Sequence, residues 1–423
     1  MAAGKRRTVR DLRRGNRALV LQRLYFDGPL SRQELGPATG LSSGSISNVV
    51  SELVAEGLLE EAGIVDSDGG RPRTLLRVAA GSGLLIGIDI GETRVRAELF
   101  DLSLTELART ERPLAQHGYD VDRIVSHVSA AVADVLRDGE ADPGRLLGVG
   151  IGVPGIVEHA ADGAVVHGQT IGWSAVPFEQ LLRKAVEIPP EAPLSIDNGA
   201  KTLGQAEMWF GGGRGAASAA VALIGSGVGA CVVHAATPDE STRTDALEWG
   251  HTVVHIRGRR CRCGSLGCLE AYAGAQALGE RWREAGGPLP AGTDDESALG
   301  ALLAAAYPEQ GAGDREALAL LDETAEYLGA AVADLVNLFR PERILLGGWA
   351  GLLLGPHILP EVRRFAGEYA LQHAASRTTI ELGRLGPDAV TVGAATLPLS
   401  AFLTHGGTRP TGAPNSVASR PPS

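Results

Sequence analysis

The sequence predicts an α/β protein in which an amino-terminal winged helix-turn-helix precedes a larger, two-lobed domain. Three helical segments and a hairpin fill the first 80 residues, and strands alternate with helices beyond them. Two strand-to-glycine units, 84–91 and 219–229, indicate that the larger domain has two related lobes. With 423 residues, 44% of them hydrophobic and 21% charged, the chain is long enough for about three domain-sized cores.

Two helices are predicted at the start of the chain. In 16–26, apolar side chains recur at helical spacing, and Gly28-Pro29 ends the run. Ser31 and Glu34 then form a capping-box pattern, in which the two side chains satisfy free backbone amides at the helix start. The second helix should be short and end near Thr39, because a proline lies inside it.

A third helix and a hairpin complete the predicted winged helix. Gly40 breaks the chain, Ser42 caps the third helix, and Gly57 is a plausible stop. Two helices joined by a tight glycine turn form a helix-turn-helix. The segments 58–61 and 74–78 follow as two strands around a polar, glycine-containing turn, which predicts a hairpin wing.

The net charge of −11 is divided unevenly along the chain. Residues 1–80 hold 12 Lys and Arg against 9 Asp and Glu, which makes this segment +3 and the remainder −14. A basic segment on an acidic protein suits a local contact with nucleic acid, because phosphate binding needs concentrated positive charge. An arginine-rich, solvated tail is the alternative on charge alone.

The third predicted helix carries small polar side chains, which allow a helix to approach base edges in the major groove. Two arginines of the hairpin are placed to enter a minor groove or to hold phosphates. A three-helix protein-interaction module with a solvated polar face is the alternative, but helix order, turn, wing and charge all favour DNA binding. The candidate DNA-binding residues are Ser43, Ser45, Ser47, Asn48, Arg71 and Arg73.

Composition suggests where the domains begin and end. A short linker, 79–83, follows the hairpin, and the chain after residue 405 consists almost entirely of small and polar residues, which predicts a disordered tail. The predicted units are a winged helix-turn-helix (1–80), a first lobe (81–200), a second lobe whose last helix packs back on the first (201–405), and the tail (406–423).

Each strand-to-glycine unit ends in a turn suited to phosphate. Asp89, Gly91 and Thr93 place a carboxylate at a strand end and a hydroxyl beyond a tight turn, the groups needed to hold a metal-bound nucleotide phosphate. Glycines let backbone amides approach a second phosphate, and three alternate in the second unit, at Gly225, Gly227 and Gly229. Simple tight turns are an equal alternative for each unit taken alone.

A metal-binding pattern follows in the second half of the chain. His251, Cys261, Cys263 and Cys268 form a Cys3His set, which suits tetrahedral Zn2+. Four protein ligands leave no position for water, so the zinc should be structural and should fix the loop between Glu248 and Glu270. A reduced cysteine cluster without metal is the alternative. The fourth cysteine, Cys231, lies in an apolar strand and is expected to pack in the core.

These residues resemble the ROK family (repressors, open reading frames, kinases), and in particular its regulator branch, which includes xylose and N-acetylglucosamine repressors. The resemblance runs from about Asp11 to Phe402. It implies that the larger domain has the two-lobed actin and hexokinase fold and binds a sugar in the cleft between lobes. The matching motifs are Gly40-Leu41-Ser42, Gly70-Arg71-Pro72, Asp89-x-Gly91-x-Thr93, Gly152-Val153-Pro154-Gly155, Glu248-x-Gly250-His251, the loop from Cys261 to Glu270, and Pro341-Glu342 with Gly347-Gly348.

The resemblance also implies which residues meet the sugar. His251 would bind zinc through one ring nitrogen and could meet the sugar through the other. The positions that match the family's contacts to sugar hydroxyls are Asn198, Glu248, His251 and Glu270.

The same resemblance implies that catalysis is lost. Catalytic members end a strand in Glu-Asn-Asp, whose aspartate takes the proton from the attacking hydroxyl, and here Gly199 stands at that position. Asp197 lies one position before the retained asparagine, on an extended segment that points its side chain to the opposite face, so it could serve as the base only if the backbone bends. Arg94 replaces the usual lysine, and Trp349 replaces a small residue near the nucleotide. The glycine-turn residues are therefore interpreted as vestigial, and ATP binding is in question.

Together these features predict a non-enzymatic transcriptional regulator, a repressor of carbohydrate genes that binds operator DNA and senses a sugar. A homodimer or tetramer is expected, because paired half-sites match a two-fold protein. An active ATP-dependent sugar kinase with a DNA-binding arm is the main alternative, and a regulator that senses a partner protein is another. We expect a cytoplasmic protein, since no apolar run approaches the roughly 18 to 20 residues of a membrane helix.

Overall fold

The computed structural model describes residues 8–66, 72–114, 119–235 and 243–408. Two parts of the predictions lie outside these ranges. The first is the hairpin turn 67–71, which contains Arg71, and the second is the stretch 409–423 of the predicted tail.

The amino-terminal unit has three helices and a three-stranded antiparallel sheet, in agreement with the predicted winged helix. Its strands are ordered β1-β3-β2. The elements are α1 (Val9–Asp27), β1 (Leu30–Ser31), α2 (Arg32–Thr39), α3 (Ser43–Ala55), β2 (Leu59–Val65) and β3 (Arg73–Val78).

Capping groups set the ends of these helices. The predicted capping box of α2 is present: the Ser31 N–H donates to the Glu34 carboxylate at 2.8 Å, and Gly40 ends the helix with a φ of 70°. Helix α1 begins seven residues earlier than the predicted start at residue 16. Thr8 and Asp11 form a capping box there, which allows the arginine-rich segment to continue the helix.

The first lobe is built on a five-stranded sheet, with a smaller three-stranded sheet beside it. Its elements are β4 (Leu84–Ile90), β5 (Arg94–Asp101), β6 (Glu106–Pro113), α4 (Val121–Asp138), β7 (Leu146–Val153), β8 (Ile156–Ala160), β9 (Gly163–Gly168), β10 (Trp173–Val176), α5 (Phe178–Ala185) and β11 (Leu194–Asn198). Helix α6 (Gly199–Phe210) leads from it to the second lobe.

The second lobe contains another five-stranded sheet, covered by helices. Its elements are β12 (Ser218–Ile224), β13 (Val228–His234), β14 (Arg243–Leu247), α7 (Glu270–Ala273), α8 (Ala275–Glu284), α9 (Asp295–Ala306), α10 (Arg315–Phe339), β15 (Arg343–Gly347), α11 (Trp349–Tyr369), α12 (Gln372–Ala375) and β16 (Thr379–Leu382). The last helix of the described chain is α13 (Ala389–Thr404).

The two large sheets share one topology. Their strand orders are β11-β7-β4-β5-β6 and β16-β15-β12-β13-β14 when each is written from the same edge. In both, the first strand of the lobe pairs antiparallel with the next strand in the chain and parallel with a later one. The prediction of two related α/β lobes is confirmed, and the two glycine turns lie at equivalent ends of β4 and β12.

Helix α13 packs against the first lobe. It lies so close to the sheet that a Cβ on Gly87 would be 2.0 Å from the Thr391 carbonyl oxygen, and one on Gly150 would be 1.8 Å from that of Ala394. Only glycine fits at these two strand positions.

The winged helix is docked firmly on the rest of the chain. One apolar cluster combines its core with side chains of α13, such as Phe402, and with buried side chains of the first lobe, such as Phe100. Residues 406–408, which we predicted as the start of the tail, instead pack here: the Gly406 carbonyl accepts a buried 2.8 Å hydrogen bond from Arg17 of α1. Across the described ranges, none of the helices has the length and apolar character needed to cross a membrane.

Candidate functional site

The first glycine turn follows β4 and carries Asp89. The Gly91 N–H donates to the Arg94 carbonyl at 3.0 Å, which closes a tight turn between β4 and β5. Burial raises the pKa of Asp89 to about 6, although Arg96 on the neighbouring strand lowers it in part. Arg94, which stands where the resemblance expects a lysine, pairs with Glu111 of the same lobe and with Glu296 of the second lobe.

The second glycine turn joins β12 to β13, and protein groups already contact it. The Gly225 N–H donates to the Gly227 carbonyl at 2.9 Å, and the Val228 N–H donates to the Glu270 carboxylate at 3.1 Å. A Cβ on Gly225 would be 3.2 Å from Nε1 of Trp349. The indole of Trp349 therefore covers this turn, and an amide that could meet a phosphate is engaged by Glu270.

An ion-pair cluster, which we call the cleft triad, crosses between the lobes. Its members are Glu92 of the first turn, Arg262 of the cysteine loop (residues 259–268), and Glu270 at the start of α7. The Arg262 guanidinium contacts both Glu92 oxygens, at 2.5 and 3.0 Å, and one Glu270 oxygen at 3.1 Å. All three side chains are largely buried, so the contacts are shielded from solvent.

The predicted metal ligands come together. One ligand atom from each of His251, Cys261, Cys263 and Cys268 lies within 4.8 Å of the others. Tetrahedral zinc with Zn–S bonds of about 2.3 Å places sulfurs about 3.8 Å apart. The structure has 3.8 Å between Sγ of Cys263 and Cys268 and 3.7 Å between Cys261 Sγ and His251 Nδ1. The four residues thus fit a single tetrahedral metal ion.

His251 joins the metal cluster to one of the predicted sugar ligands. Its Nδ1 faces Cys261, while its Nε2 lies 4.0 Å from a carboxylate oxygen of Glu248, whose side chain is 49% exposed. On the other side, Cys261 Sγ is 3.6 Å from Glu270. Three of the four predicted sugar ligands, namely Glu248, His251 and Glu270, therefore adjoin the metal cluster.

Asn198, the fourth predicted sugar ligand, lies at the start of α6. Its Oδ1 accepts the N–H groups of Ala200 and Lys201 at 2.8 and 3.3 Å, and its Nδ2 donates to the Gly155 carbonyl at 2.7 Å. The side chain thus caps the helix. A Cβ on the next residue, Gly199, would meet its neighbours only at 3.7 Å or more, so there is room for a side chain.

Asp197 has a different set of neighbours from Asn198. One of its oxygens is 2.7 Å from the Lys201 ammonium. It lines a cavity of about 100 Å3 together with Lys201, Gln205, Thr244 and Leu397, none of which is a predicted sugar ligand. The fourth cysteine is also remote from the cluster: Cys231 is fully buried in an apolar core, and burial raises the pKa of its thiol to about 12.

The predicted DNA-binding side chains lie on and beside α3. Ser43, Ser47 and Asn48 are exposed, whereas Ser45 is half-buried, with its Oγ 3.0 Å from that of Ser42, the helix cap. Arg73 of β3 is half-buried near Gln33 of α2, at 3.5 Å. The helix thus presents a small polar surface to solvent.

Sequence reasoning missed two groups of residues. One is the pair Glu92 and Arg262, which had no recognised signal beyond two charges inside motifs assigned to other roles. The other is an aromatic quartet, Tyr25, Phe26, Trp209 and Phe210, in which the end of α1 meets the end of α6 with ring centroids 4.9 to 6.3 Å apart. Arg214 donates to the Phe26 carbonyl at the same place, at 2.6 Å.

The model of the ROK family matches residues 85–400, which contain both glycine turns, the metal cluster and α6. The chain belongs to the ROK family. The predicted family membership is confirmed, and this ROK protein has the predicted two-lobed fold with an additional amino-terminal unit.

Individual relatives divide into regulators and kinases. This ROK protein is 28% identical over 402 residues to a xylose repressor of Caldicellulosiruptor bescii, a match covering 93% of this chain and 97% of the relative. It is 29% identical over 316 residues to a glucokinase of Halalkalibacterium halodurans, covering 73% of this chain and 92% of that one. A solved ROK family transcriptional regulator, described as a homologue of Escherichia coli Mlc, has a similar fold: TM-score 0.71 at 23% identity, covering 94% of this chain and 98% of that one.

Proposed function

We propose that this ROK protein is a DNA-binding transcriptional regulator, a repressor of carbohydrate genes whose operator affinity changes when a sugar enters the cleft. The observation that carries the proposal is the course of α6. This helix begins at Asn198, a proposed sugar ligand, and ends at Trp209 and Phe210, which pack on the winged helix. Relatives named as repressors, among them the xylose repressor of Caldicellulosiruptor bescii, match more than nine-tenths of the chain.

DNA binding is assigned to the exposed face of α3 and to the wing. Ser43, Ser47 and Asn48 can reach base edges in a major groove, since short polar side chains let the helix approach closely. Ser45 is better placed to support the helix start, because its hydroxyl contacts that of Ser42. Arg71 and Arg73 are proposed to hold phosphates or enter the minor groove.

Sugar binding is assigned to Asn198, Glu248, His251 and Glu270. Carboxylates accept hydrogen bonds from hydroxyls, and the asparagine amide can both accept and donate them. Glu270 is buried and held in place by its protein contacts. Zinc at the Cys3His cluster would supply rigidity: it would fix the ring of His251 through Nδ1 and leave Nε2 facing the Glu248 side.

Helix α6 supplies the physical connection between the two sites. A sugar that takes hydrogen bonds from Asn198 competes with the cap of α6, because the same side chain satisfies two backbone amides of that helix. A movement of α6 is passed to α1 through the aromatic quartet. Sugar and operator affinities must then be coupled by the same factor in both directions.

A kinase role is disfavoured by the residues around α6. Gly199 has no group that accepts a proton, and Asp197 is paired with Lys201 and lines a cavity that contains none of the proposed sugar ligands. We propose that this ROK protein acts as a homodimer or tetramer on paired half-sites, because a two-fold protein matches a palindromic operator.

A fluorescence anisotropy titration tests the proposal. Operators are first selected from genomic DNA fragments with the purified protein, and the binding is then repeated with saturating D-xylose, D-glucose or N-acetylglucosamine. We expect one sugar to change operator affinity at least about fivefold, as allosteric couplings commonly do. Asn48→Ala should weaken operator binding while keeping the sugar effect. Asn198→Ala should keep operator binding but abolish the effect of sugar on it. No specific DNA binding, or binding unchanged by sugars across a wider panel, would contradict the proposal.

The second candidate is an active sugar kinase, which the glucokinase relative favours. A coupled assay for ADP release, with the same sugars and Mg-ATP, decides between the two. Turnover that Asp197→Ala abolishes would overturn the regulator interpretation of the cleft. A regulator that senses a partner protein is distinguished by pull-down with this protein from sugar-fed and starved cells: a partner that binds in only one of the two conditions would support that alternative.

A further inference from the structure

We infer that Arg262 is a positioning residue that ties the two lobes together and occupies the place between the glycine turns, so that the cleft closes without a nucleotide and rejects phosphate there. The inference rests on the proposed function in one respect: Glu270, which Arg262 holds, is a proposed sugar ligand. The residues involved are the cleft triad, Glu92, Arg262 and Glu270.

The contacts of Arg262 reach both lobes at once. Its side chain belongs to the cysteine loop of the second lobe, and it forms a two-pronged ion pair with Glu92 of the first lobe. Paired guanidinium–carboxylate contacts of this kind fix orientation as well as distance. The same guanidinium contacts Glu270 at 3.1 Å through Nη2 and at 3.3 Å through Nε. Glu270 is therefore held in one orientation by a residue that depends on lobe closure.

Further contacts between and within the lobes support the triad. Gln169 of the first lobe donates to the Cys263 carbonyl at 2.7 Å, so the cysteine loop touches the first lobe twice. Tyr119 donates to the Glu92 carbonyl at 2.9 Å and supports the turn that carries this carboxylate. Fractional exposures of 14% for Glu92, 22% for Arg262 and 7% for Glu270 place the triad inside the closed cleft.

The position of the triad relative to the turns is set by Gly227. A Cβ on Gly227 would lie 2.5 Å from Glu270, 2.8 Å from Arg262 and 3.1 Å from Glu92. All three side chains therefore pack directly against Gly227, in space that a Cβ at this position would occupy. Since Glu92 belongs to the first turn and Gly227 to the second, the triad fills the space where the two turns face each other.

Charge explains why this space would reject phosphate. The triad carries two carboxylates and one guanidinium, and Asp89 adds a third carboxyl in the adjoining turn. Burial raises the pKa of Glu92, and Arg262 offsets part of that effect. A phosphate would have to take Arg262 from both carboxylates and leave them buried without a cationic partner, which costs more than the new contact returns. An uncharged sugar beside Glu270 meets no such penalty.

Hydrogen exchange monitored by mass spectrometry tests this inference without sugar or DNA. The full chain is compared with Arg262→Gln, which keeps a polar side chain but shortens it and removes the charge. We expect amides of the first-lobe turn, 91–95, to exchange roughly tenfold faster, although the substitution lies in the second lobe. Arg262→Lys should recover part of the protection, and Glu92→Gln should speed exchange in the cysteine loop, 259–268.

A matched control separates this effect from damage to the metal loop. Arg259 lies in the same loop, and its guanidinium pairs with Glu284 of the same lobe. Arg259→Gln should leave the first-lobe turn unchanged, and metal content measured by mass spectrometry should be equal in all variants. Unchanged exchange at 91–95 in Arg262→Gln with full metal content would overturn the inference, as would an equal effect of Arg259→Gln.

Phosphate rejection has its own readout. Calorimetry with Mg-AMP-PNP and with inorganic phosphate should detect no binding to the wild-type protein at millimolar ligand. Binding of either ligand with the turn still protected would overturn the exclusion part of the inference. Neither experiment uses a sugar or an operator, so their outcomes are independent of whether the proposed regulator function holds.

Discussion

The cleft has two halves that differ in what fills them: the metal half beside the Cys3His cluster, and the half that holds the two glycine turns, which we call the nucleotide half. In the metal half, the Cys3His cluster, which includes His251, adjoins Glu248 and Glu270. In the nucleotide half, Trp349 covers one glycine turn and the cleft triad fills the gap to the other. Under the proposed function, the metal half holds the groups that would meet sugar hydroxyls, while the space a phosphate would need is filled, as suits a sensor more than a kinase.

The largest expected effect follows from breaking the metal half. Cys268→Ser removes one ligand of the four, and loss of a structural zinc should cost about 4 kcal/mol or more of folding free energy in the second lobe, roughly 10 °C in Tm. Metal content and a thermal melt measure both consequences. Cys231→Ala, which removes a buried cysteine outside the cluster, should keep the metal. A metal-free Cys268→Ser protein with the wild-type Tm would show that the cluster has no structural role.

The next effect tests how much stability the protein loses by burying the charged Asp89 carboxylate in the nucleotide half. A folded-state pKa of about 6 for Asp89, against 3.8 for the free side chain, means that the folded protein binds this proton more tightly than the unfolded chain does. Stability therefore falls as pH rises from about 4 to about 6, by at most about 3 kcal/mol. Asp89→Asn should raise the Tm at pH 8 and leave it unchanged at pH 4. Equal effects at both pH values would show that Asp89 is not buried in its charged form.

A smaller structural effect should accompany a large functional one at the aromatic quartet. Trp209→Ala removes ring contacts at the end of α6 and should cost about 2 kcal/mol of stability. Both DNA and sugar should still bind, but the sugar should no longer change operator affinity. Tyr307→Ala is a suitable comparison, because Tyr307 stacks on His357 in the second lobe, away from α6. Retained coupling in Trp209→Ala would rule out α6 as the connection.

The smallest effect is expected from restoring the missing carboxylate. Gly199→Asp has room, since the nearest neighbours of its Cβ lie at 3.7 Å or more, and an acidic residue at a helix start is tolerated. With the nucleotide half filled, the variant should show no ADP release above the wild-type background with Mg-ATP and sugar. Turnover in Gly199→Asp would mean that the nucleotide half is still open, and that only the base had been lost.

Local features were predictable, whereas contacts between distant segments were not. The caps at Ser31, Glu34 and Gly40, and the ligand spacing of the metal cluster, are set by residues a few positions apart. Glu92 and Arg262 are 170 positions apart, and neither neighbourhood in the sequence indicates that they meet.

Two further differences have local causes. The start of α1 was missed because Thr8 and Asp11 cap the helix within a stretch rich in arginine, where the apolar periodicity is weak. Residues 406–408 pack because a buried arginine, Arg17, reaches the Gly406 carbonyl, a contact that composition does not reveal.

The measurement that tests the central claim most directly is a calorimetric titration with the sugar that changes operator affinity. It is carried out on the free protein and on the protein bound to its operator. Coupling through α6 predicts that the sugar Kd changes by the same factor as the operator Kd does when sugar is added. In Trp209→Ala, the sugar Kd measured with operator should equal the sugar Kd measured without it, because only the connection between the two sites is lost. An identical sugar Kd with and without operator in the wild-type protein would contradict the account.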